Sequence, residues 1–202
     1  MARDRNEAIN SYITDMLALE DHIEKAIRGQ LEDLKDYPDV TRDLKLIHRQ
    51  VEHHVSDLRA LSERRNARTP ADVIKRAGSA LLGLGAAAVD LIRTEGLPKN
   101  LRDDYTALSL ASIGYVMLHT TATALNDPEV ADLGRQHFAD YAETLTVLQG
   151  VIPGAVVRYL KDEGFLVREE VLPEINRTIE EVWSSVSARS ARTEESPAAQ
   201  NR

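Results

Sequence analysis

The sequence predicts an all-α protein built as a bundle of long helices. Turn signals divide its 202 residues into long segments with helical periodicity, and no segment shows the alternating β-branched pattern of a strand. Aromatic residues make up only 4% of the chain, so the core must consist mainly of Leu, Ile, Val and Ala, the residues that pack between helices. These observations favour one helical core over a β or mixed fold.

The first half of the chain contains three predicted helices. The first helix, residues 6–36, ends just before Pro38, because the residue that precedes a proline is pushed out of the α region. The second helix spans residues 39–66. The third helix, residues 69–95, lies between the second helix and the next long helical segment, so the predicted bundle contains an extra helix at this point.

The third predicted helix is the most apolar part of the chain. Thr69 is its expected cap and Pro70 occupies its first turn. Its segment 77–89 is about 13 residues long, which is short of the roughly 20 residues needed to span a bilayer. This segment is apolar around nearly its whole circumference, and a monomer would have difficulty covering it. We therefore expect no membrane span, and we expect the protein to form a homodimer.

Two more long helices and an amphipathic one follow. The fourth helix spans residues 100–125, and Asn126-Asp127-Pro128 ends it and caps the fifth helix. Ile152-Pro153-Gly154 is expected to break or kink this fifth helix before a short continuation to Glu163.

The last predicted helix spans residues 168–188 and is amphipathic. Its apolar stripe contains Leu172, Ile175, Ile179, Val182 and Val186. The residues after it are small and polar, a composition typical of disorder. The predicted organisation is a bundle over residues 1–166, a C-terminal amphipathic helix over residues 167–188 and a disordered tail over residues 189–202.

Composition limits the functions that the chain can have. It contains no cysteine, so disulfides and thiolate chemistry are excluded, and any metal ion must bind to Glu, Asp or His. The excess of 33 acidic over 25 basic residues gives a formal charge of −8, which repels phosphate backbones and argues against a nucleic-acid partner. The first residues lack the apolar core of a signal peptide, so a cytoplasmic location is expected.

Two polar side chains interrupt otherwise apolar helix faces. Glu20 stands in the first helix within the series Ile9, Ile13, Met16, Ile23, Ile27 and Leu34. His54 stands in the second helix within the series Leu44, Ile47, Val51, Leu58 and Leu61. Each buried polar group needs a partner, which is the other group, a water molecule or a metal ion. The neighbouring His48, Glu52 and His53 fall off this series and are interpreted as a solvated face.

Several segments carry a family resemblance when they are taken in order. They are LALEDHIEKAI, HRQVEHHVSDL, RAGSALLGLGAAAVDLIR, RDDYTALSLASIGYVML and NDPEVADLGRQHFADY. Over about residues 8–165 the chain resembles the ferritin-like bacterial stress proteins of the YciE/YciF type. The resemblance implies a ferritin-like antiparallel four-helix bundle, with the extra small-residue helix between its second and third bundle helices, and a dinuclear iron or manganese site.

The residues of this implied metal site are unevenly retained. Glu20 and His54 match a carboxylate and a histidine of the family, and Asp140 remains from a run of acids in the fifth helix. Acidic or ligating positions of the family are replaced by Gln50, Ala111, Val116, Ala139 and Tyr141. A dinuclear centre needs several carboxylates to bridge two cations, and too few remain here. The expected metal ligands are therefore Glu20, His54 and Asp140, with at most a single iron or manganese ion.

Three hypotheses for function follow. The leading one is a stress-associated, structural or binding protein with an incomplete metal site and no assigned catalytic residue. The first alternative is an iron- or manganese-binding, ferroxidase-like protein that uses Glu20, His54 and Asp140 with His119 or His137. The second alternative is an interaction module that presents its last amphipathic helix to a protein partner.

Overall fold

The computed structural model of the protein describes residues 4–34, 37–65 and 96–194. The regular secondary structure of these residues is helical throughout, which confirms the all-α prediction. The helices are α1 (Arg5–Asp33), α2 (Pro38–Arg64), α3 (Leu97–Ala124), α4 (Pro128–Asp162) and α5 (Leu172–Glu194), with a 3-10 turn over Glu169–Val171. The predicted helix at residues 69–95 lies outside the described residues. No helix in the described part of the chain is long and apolar enough to cross a membrane.

Short polar residues and prolines set the beginnings of the helices. Asp4 caps α1 by accepting a hydrogen bond from the Asn6 amide at 2.9 Å. Asp127 accepts one from the Val130 amide at 3.3 Å at the start of α4. Helix α3 begins at Leu97, earlier than predicted, because Pro98 is accepted within a first helical turn, where its missing N–H would have no intrahelical partner.

The two later helices run further than the sequence indicated. Of the break or kink predicted at residues 152–154, the break is wrong, because α4 continues as one helix with Pro153 inside it. A proline inside a helix removes one hydrogen bond and crowds the preceding turn, which can kink a helix without ending it. Helix α5 ends at Glu194 and not at Ala188, and the alanines and arginines of this stretch are favourable helix formers.

The chain divides into two compact units, Met1–Leu148 and Gln149–Arg202, with the boundary inside α4. The predicted segments 1–166, 167–188 and 189–202 rest on the sequence alone. All side chains of the candidate site described below belong to the first unit, and to helices α1 to α4.

Each of these four helices buries one stripe at alternating spacings of three and four residues. On α1 the stripe is Ile9, Ile13, Met16, Glu20, Ile23, Ile27, Gln30 and Leu34. On α2 it is Leu44, Ile47, Val51, His54, Leu58 and Leu61. On α3 it is Leu101, Asp104, Leu108, Ala111, Tyr115, Leu118 and Ala122. On α4 it is Val130, Gly134, His137, Tyr141, Thr144 and Leu148. Burial of each large apolar side chain stabilises the fold by about 1.5–3 kcal/mol, and the polar members need partners instead.

Contacts between neighbouring helices run in opposite directions along the chain. Near the start of α1, Asn10 accepts a hydrogen bond from Arg65 at the end of α2. Further along α1, Glu24 lies 2.9 Å from His48, nearer the start of α2. The same reversal holds between α1 and α3 and between α2 and α4. These helices are therefore antiparallel neighbours, which brings the middle of each helix to the same level.

Candidate functional site

Glu20 lies at the centre of a polar cluster where the four helices meet. Its side chain is 0% exposed, and each of its carboxylate oxygens accepts a hydrogen bond. The Tyr115 hydroxyl on α3 donates to Oε1 at 2.6 Å, and the Tyr141 hydroxyl on α4 donates to Oε2 at 2.5 Å. Phenol–carboxylate bonds of this length are typical of charge-assisted hydrogen bonds. Glu20 is therefore held by protein donors on both oxygens.

The two tyrosines act in this cluster as fixed donors. Burial raises the pKa of Tyr115 well above its usual value, and the nearby charge of Glu20 raises it further. Burial and Glu20 raise the pKa of Tyr141 in the same way. Both phenols therefore keep their protons over the physiological pH range, and the hydrogen bonds to Glu20 persist.

His54 lies between two carboxylates and is itself fully buried. Its Nε2 is 3.1 Å from Asp140 Oδ2, and its Nδ1 is 3.5 Å from Glu20 Oε1. A carboxylate only accepts, so Nε2 donates its N–H to Asp140. Nδ1 faces Glu20 Oε1 and has no hydrogen-bond partner.

His137 stacks on His54 and repeats its environment. The ring centroids are 3.8 Å apart and the ring planes differ by 13°. His137 Nε2 lies 3.3 Å from Asp57 Oδ2, and its buried Nδ1 also has no hydrogen-bond partner. Burial, followed by the neighbouring His54, lowers the pKa of His137 to about 4, so this imidazole is neutral near pH 7. The cluster thus contains two stacked imidazoles, each turned by its Nε2 toward an aspartate.

The three predicted metal ligands meet at His54, but they do not converge on one point. Glu20 faces Nδ1 of that ring, whereas Asp140 faces Nε2 on the opposite side. One ion between Glu20 and His54 would have two protein ligands, and a second carboxylate to bridge two ions is missing at Ala111. The residues therefore do not fit a dinuclear centre. A single ion at Glu20 and His54 stays a prediction.

Other positions compared with the family have separate partners. Gln50 Oε1 accepts a hydrogen bond from Thr144 at 2.5 Å. His119 Nδ1 contacts the Ala131 carbonyl at 2.7 Å, where α3 and α4 approach so closely that a Cβ on Gly134 would lie 3.0 Å from the His119 amide nitrogen. Of the two histidines in the ferroxidase alternative, the structure places only His137 beside His54.

The solvated face expected on α2 is correct in part. The side chains of His53 and Glu52 are 64% and 54% exposed. His48 is only 13% exposed, because Glu24 on α1 covers it with a contact of 2.9 Å. The interpretation of His48 as a solvated residue is therefore wrong, and the reason is the acidic side chain on the neighbouring helix.

Comparison of the sequence with protein-family models and with curated proteins finds no match. Among solved structures, the chain is similar to the crystal structure of protein XCC3681 from Xanthomonas campestris pv. campestris, with a TM-score of 0.63 and 16% sequence identity. The match covers 80% of this chain and 99% of that chain. At this identity the likeness shows a shared fold alone. The resemblance to the YciE/YciF type stays a prediction.

Proposed function

We propose that the protein is a ferritin-like antiparallel four-helix bundle with a structural or binding role, in which a hydrogen-bonded cluster occupies the place of a complete metal site. The observation that carries this proposal is that both carboxylate oxygens of Glu20 accept hydrogen bonds, one from Tyr115 and one from Tyr141. Four regular buried stripes and the reversed contacts between helices support the bundle. The association with stress and the cytoplasmic location rest on the sequence.

A second candidate function is the binding of one iron or manganese ion. The unpartnered Nδ1 of His54, 3.5 Å from Glu20 Oε1, favours it. Glu20 and His54 would hold the ion, while Asp140 orients the imidazole through Nε2, as acidic side chains commonly do for ligating histidines. A bound iron or manganese ion would supply redox chemistry. The tyrosine hydroxyls would fix the orientation of the carboxylate.

The leading proposal predicts that iron is not oxidised in pairs at this cluster. We expect anaerobically loaded protein to show no oxygen-dependent oxidation of two Fe(II) ions per chain, because Glu20 is the one fully buried carboxylate among the described residues of the cluster. The measurement is a stopped-flow absorbance assay on the wild type and on the His54→Ala variant. Stoichiometric oxidation that is lost in His54→Ala would overturn the proposal and restore the ferroxidase alternative.

The proposal includes a homodimer, and α3 supplies a suitable surface. Residues 106–124 contain no Asp, Glu, Lys or Arg, and three large apolar side chains of this helix, Leu110, Ile113 and Met117, are about half exposed. Because this stretch has no charged side chain, two copies of a chain with a net charge of −8 can meet there without repulsion between like charges. The segment 77–89, which first indicated self-association, lies outside the described residues.

We expect the wild type to be a dimer at micromolar concentration and Ile113→Glu to be a monomer, because the substitution places two negative charges in one apolar contact. Leu46→Glu is the matched control, since Leu46 on α2 is 54% exposed and Ile113 is 58% exposed. Light scattering coupled to size-exclusion chromatography measures the mass. A monomeric wild type, or equal dissociation by Leu46→Glu, would contradict the α3 interface.

The interaction-module hypothesis concerns the second compact unit. Helix α5 exposes Val182 and Trp183, each at 55%, as a partner-binding amphipathic helix would. A chain that lacks the residues after 166 would separate this role from that of the first unit.

A further inference from the structure

A second set of metal-ligating side chains lies between α1 and α2, apart from the Glu20 cluster. His48 and Glu52 are one helical turn apart on α2, and Glu24 faces them from α1. One donor atom from each of the three residues can be chosen so that all three atoms lie within 4.8 Å of one another. Within the described residues, this arrangement of three donors occurs here alone. It does not include Glu20, His54 or Asp140.

The surroundings of the His48 ring favour a cation. Nε2 lies 2.9 Å from Glu24 Oε1, the distance of a hydrogen bond from the ring N–H to a carboxylate. The other ring nitrogen, Nδ1, lies 3.6 Å from Glu52 Oε2. Two carboxylates around one imidazole concentrate negative charge, which a bound cation would offset. Two ligands of one divalent ion are separated by a similar distance, since each metal–ligand bond is about 2.0–2.2 Å long.

The donor set indicates which class of ion would bind. Imidazole together with carboxylates suits divalent first-row transition ions such as zinc, cobalt and manganese. Arg28 and His48 both contact Oε1 of Glu24, so an ion would approach that carboxylate through its other oxygen. The exposed side chain of Glu52 gives the ion access from solvent.

We propose that Glu24, His48 and Glu52 bind one divalent transition-metal ion of the zinc class and thereby join α1 to α2. The ion would be coordinated by one ring nitrogen of His48 and by the two carboxylates, with its remaining position open to water. Because the ion binds the folded pair of helices, it would raise the stability of the first unit by mass action. This site is independent of the proposed function, and its failure would leave the interpretation of the Glu20 cluster unchanged.

The test is a titration of metal-free, full-length protein with Co(II), followed by visible absorption, together with thermal melting in the presence of Zn(II). We expect saturable ligand-field bands and a metal-dependent rise in Tm in the wild type. His48→Ala and Glu52→Gln should each weaken Co(II) binding at least tenfold, a loss that is common even when a residue only supports a ligand. Because Glu52 is more than half exposed, Glu52→Gln should fold normally, and far-UV circular dichroism verifies this.

The matched control is His53→Ala. His53 has the same spacing to an acidic residue, Asp57, and lies 3.4 Å from it, but it belongs to no group of three donors. Binding should be unchanged in His53→Ala. The proposal is overturned if the wild type shows no saturable Co(II) bands, if His48→Ala and Glu52→Gln retain wild-type affinity, or if His53→Ala loses as much affinity as His48→Ala.

Discussion

Replacing Glu20 with leucine is expected to lower the free energy of unfolding by about 2–6 kcal/mol. The substitution removes the acceptor of both the Tyr115 and the Tyr141 hydroxyls, which are fully buried. Each buried hydroxyl left without a partner costs about 1–3 kcal/mol. Urea denaturation followed by circular dichroism measures the loss.

The matched variant adds Tyr115→Phe and Tyr141→Phe to Glu20→Leu. It should recover most of the lost stability, because replacing all partners of a buried polar group with apolar residues of similar shape is often neutral. Either tyrosine substitution alone should cost less than Glu20→Leu, since Glu20 keeps the other donor. If the triple variant were as unstable as Glu20→Leu, the loss would come from packing and the cluster would not be the reason for it.

The same cluster changes the expected outcome of replacing Glu20 and His54 together by leucine. If these two residues were a closed buried pair, the double variant should be as stable as the wild type or more stable by about 1–4 kcal/mol. The tyrosines make that outcome incompatible with the observed contacts, because the double variant still leaves their hydroxyls unsatisfied. We therefore expect the double variant to be less stable than the wild type.

The sequence predicted α1 and α2 of this site well, because their buried stripes are mostly apolar. Glu20 and His54 each replace one apolar residue in a regular series, so both were visible as interruptions. Gln30 was missed, although the gap between Ile27 and Leu34 is the place where the same spacing requires a buried residue. A test of spacing alone, without regard to polarity, would have found it.

Helix α4 was harder to predict because half of its buried stripe is small or polar. Gly134, His137 and Thr144 occupy stripe positions, while the large apolar side chain of Phe138 lies off the stripe and is 38% exposed. The partners of the stripe explain the difference: His137 stacks on His54 and Thr144 bonds to Gln50. Such contacts depend on residues 80 or more positions away in the chain, so local periodicity does not contain them.

A second buried carboxyl group gives the other large expected effect. Asp104 on α3 is 5% exposed, and its Oδ1 accepts a hydrogen bond from Gln30 Nε2 on α1 at 2.7 Å. Its Oδ2 and the Gln30 Oε1 are buried without a hydrogen-bond partner. Burial raises the pKa of Asp104 from 3.8 to about 7, against the opposing effect of the Gln30 hydrogen bond.

The raised pKa of Asp104 makes the folded protein less stable as the pH rises. The folded protein binds the Asp104 proton more tightly than the unfolded chain does, so the stability linked to this group is complete below about pH 4 and is lost as the pH rises through about 7. A shift of about three pKa units corresponds to on the order of 4 kcal/mol. The aspartate is therefore a destabilising residue in neutral and alkaline solution.

Asp104→Asn should remove this pH-dependent cost. The amide has nearly the same shape, carries no charge at any pH, and supplies an N–H group where Asp104 Oδ2 and Gln30 Oε1 now lack a hydrogen. We expect the variant to gain stability over the wild type progressively between about pH 4 and pH 8, by on the order of 4 kcal/mol in total. Urea denaturation of both proteins at intervals across this range measures the difference. Asp132→Asn is the control, because it makes the same change at a side chain that is 78% exposed, so its effect on stability should stay small across this range. A difference between Asp104→Asn and the wild type that stays constant from about pH 4 to pH 8 would show that Asp104 ionises freely in the folded protein.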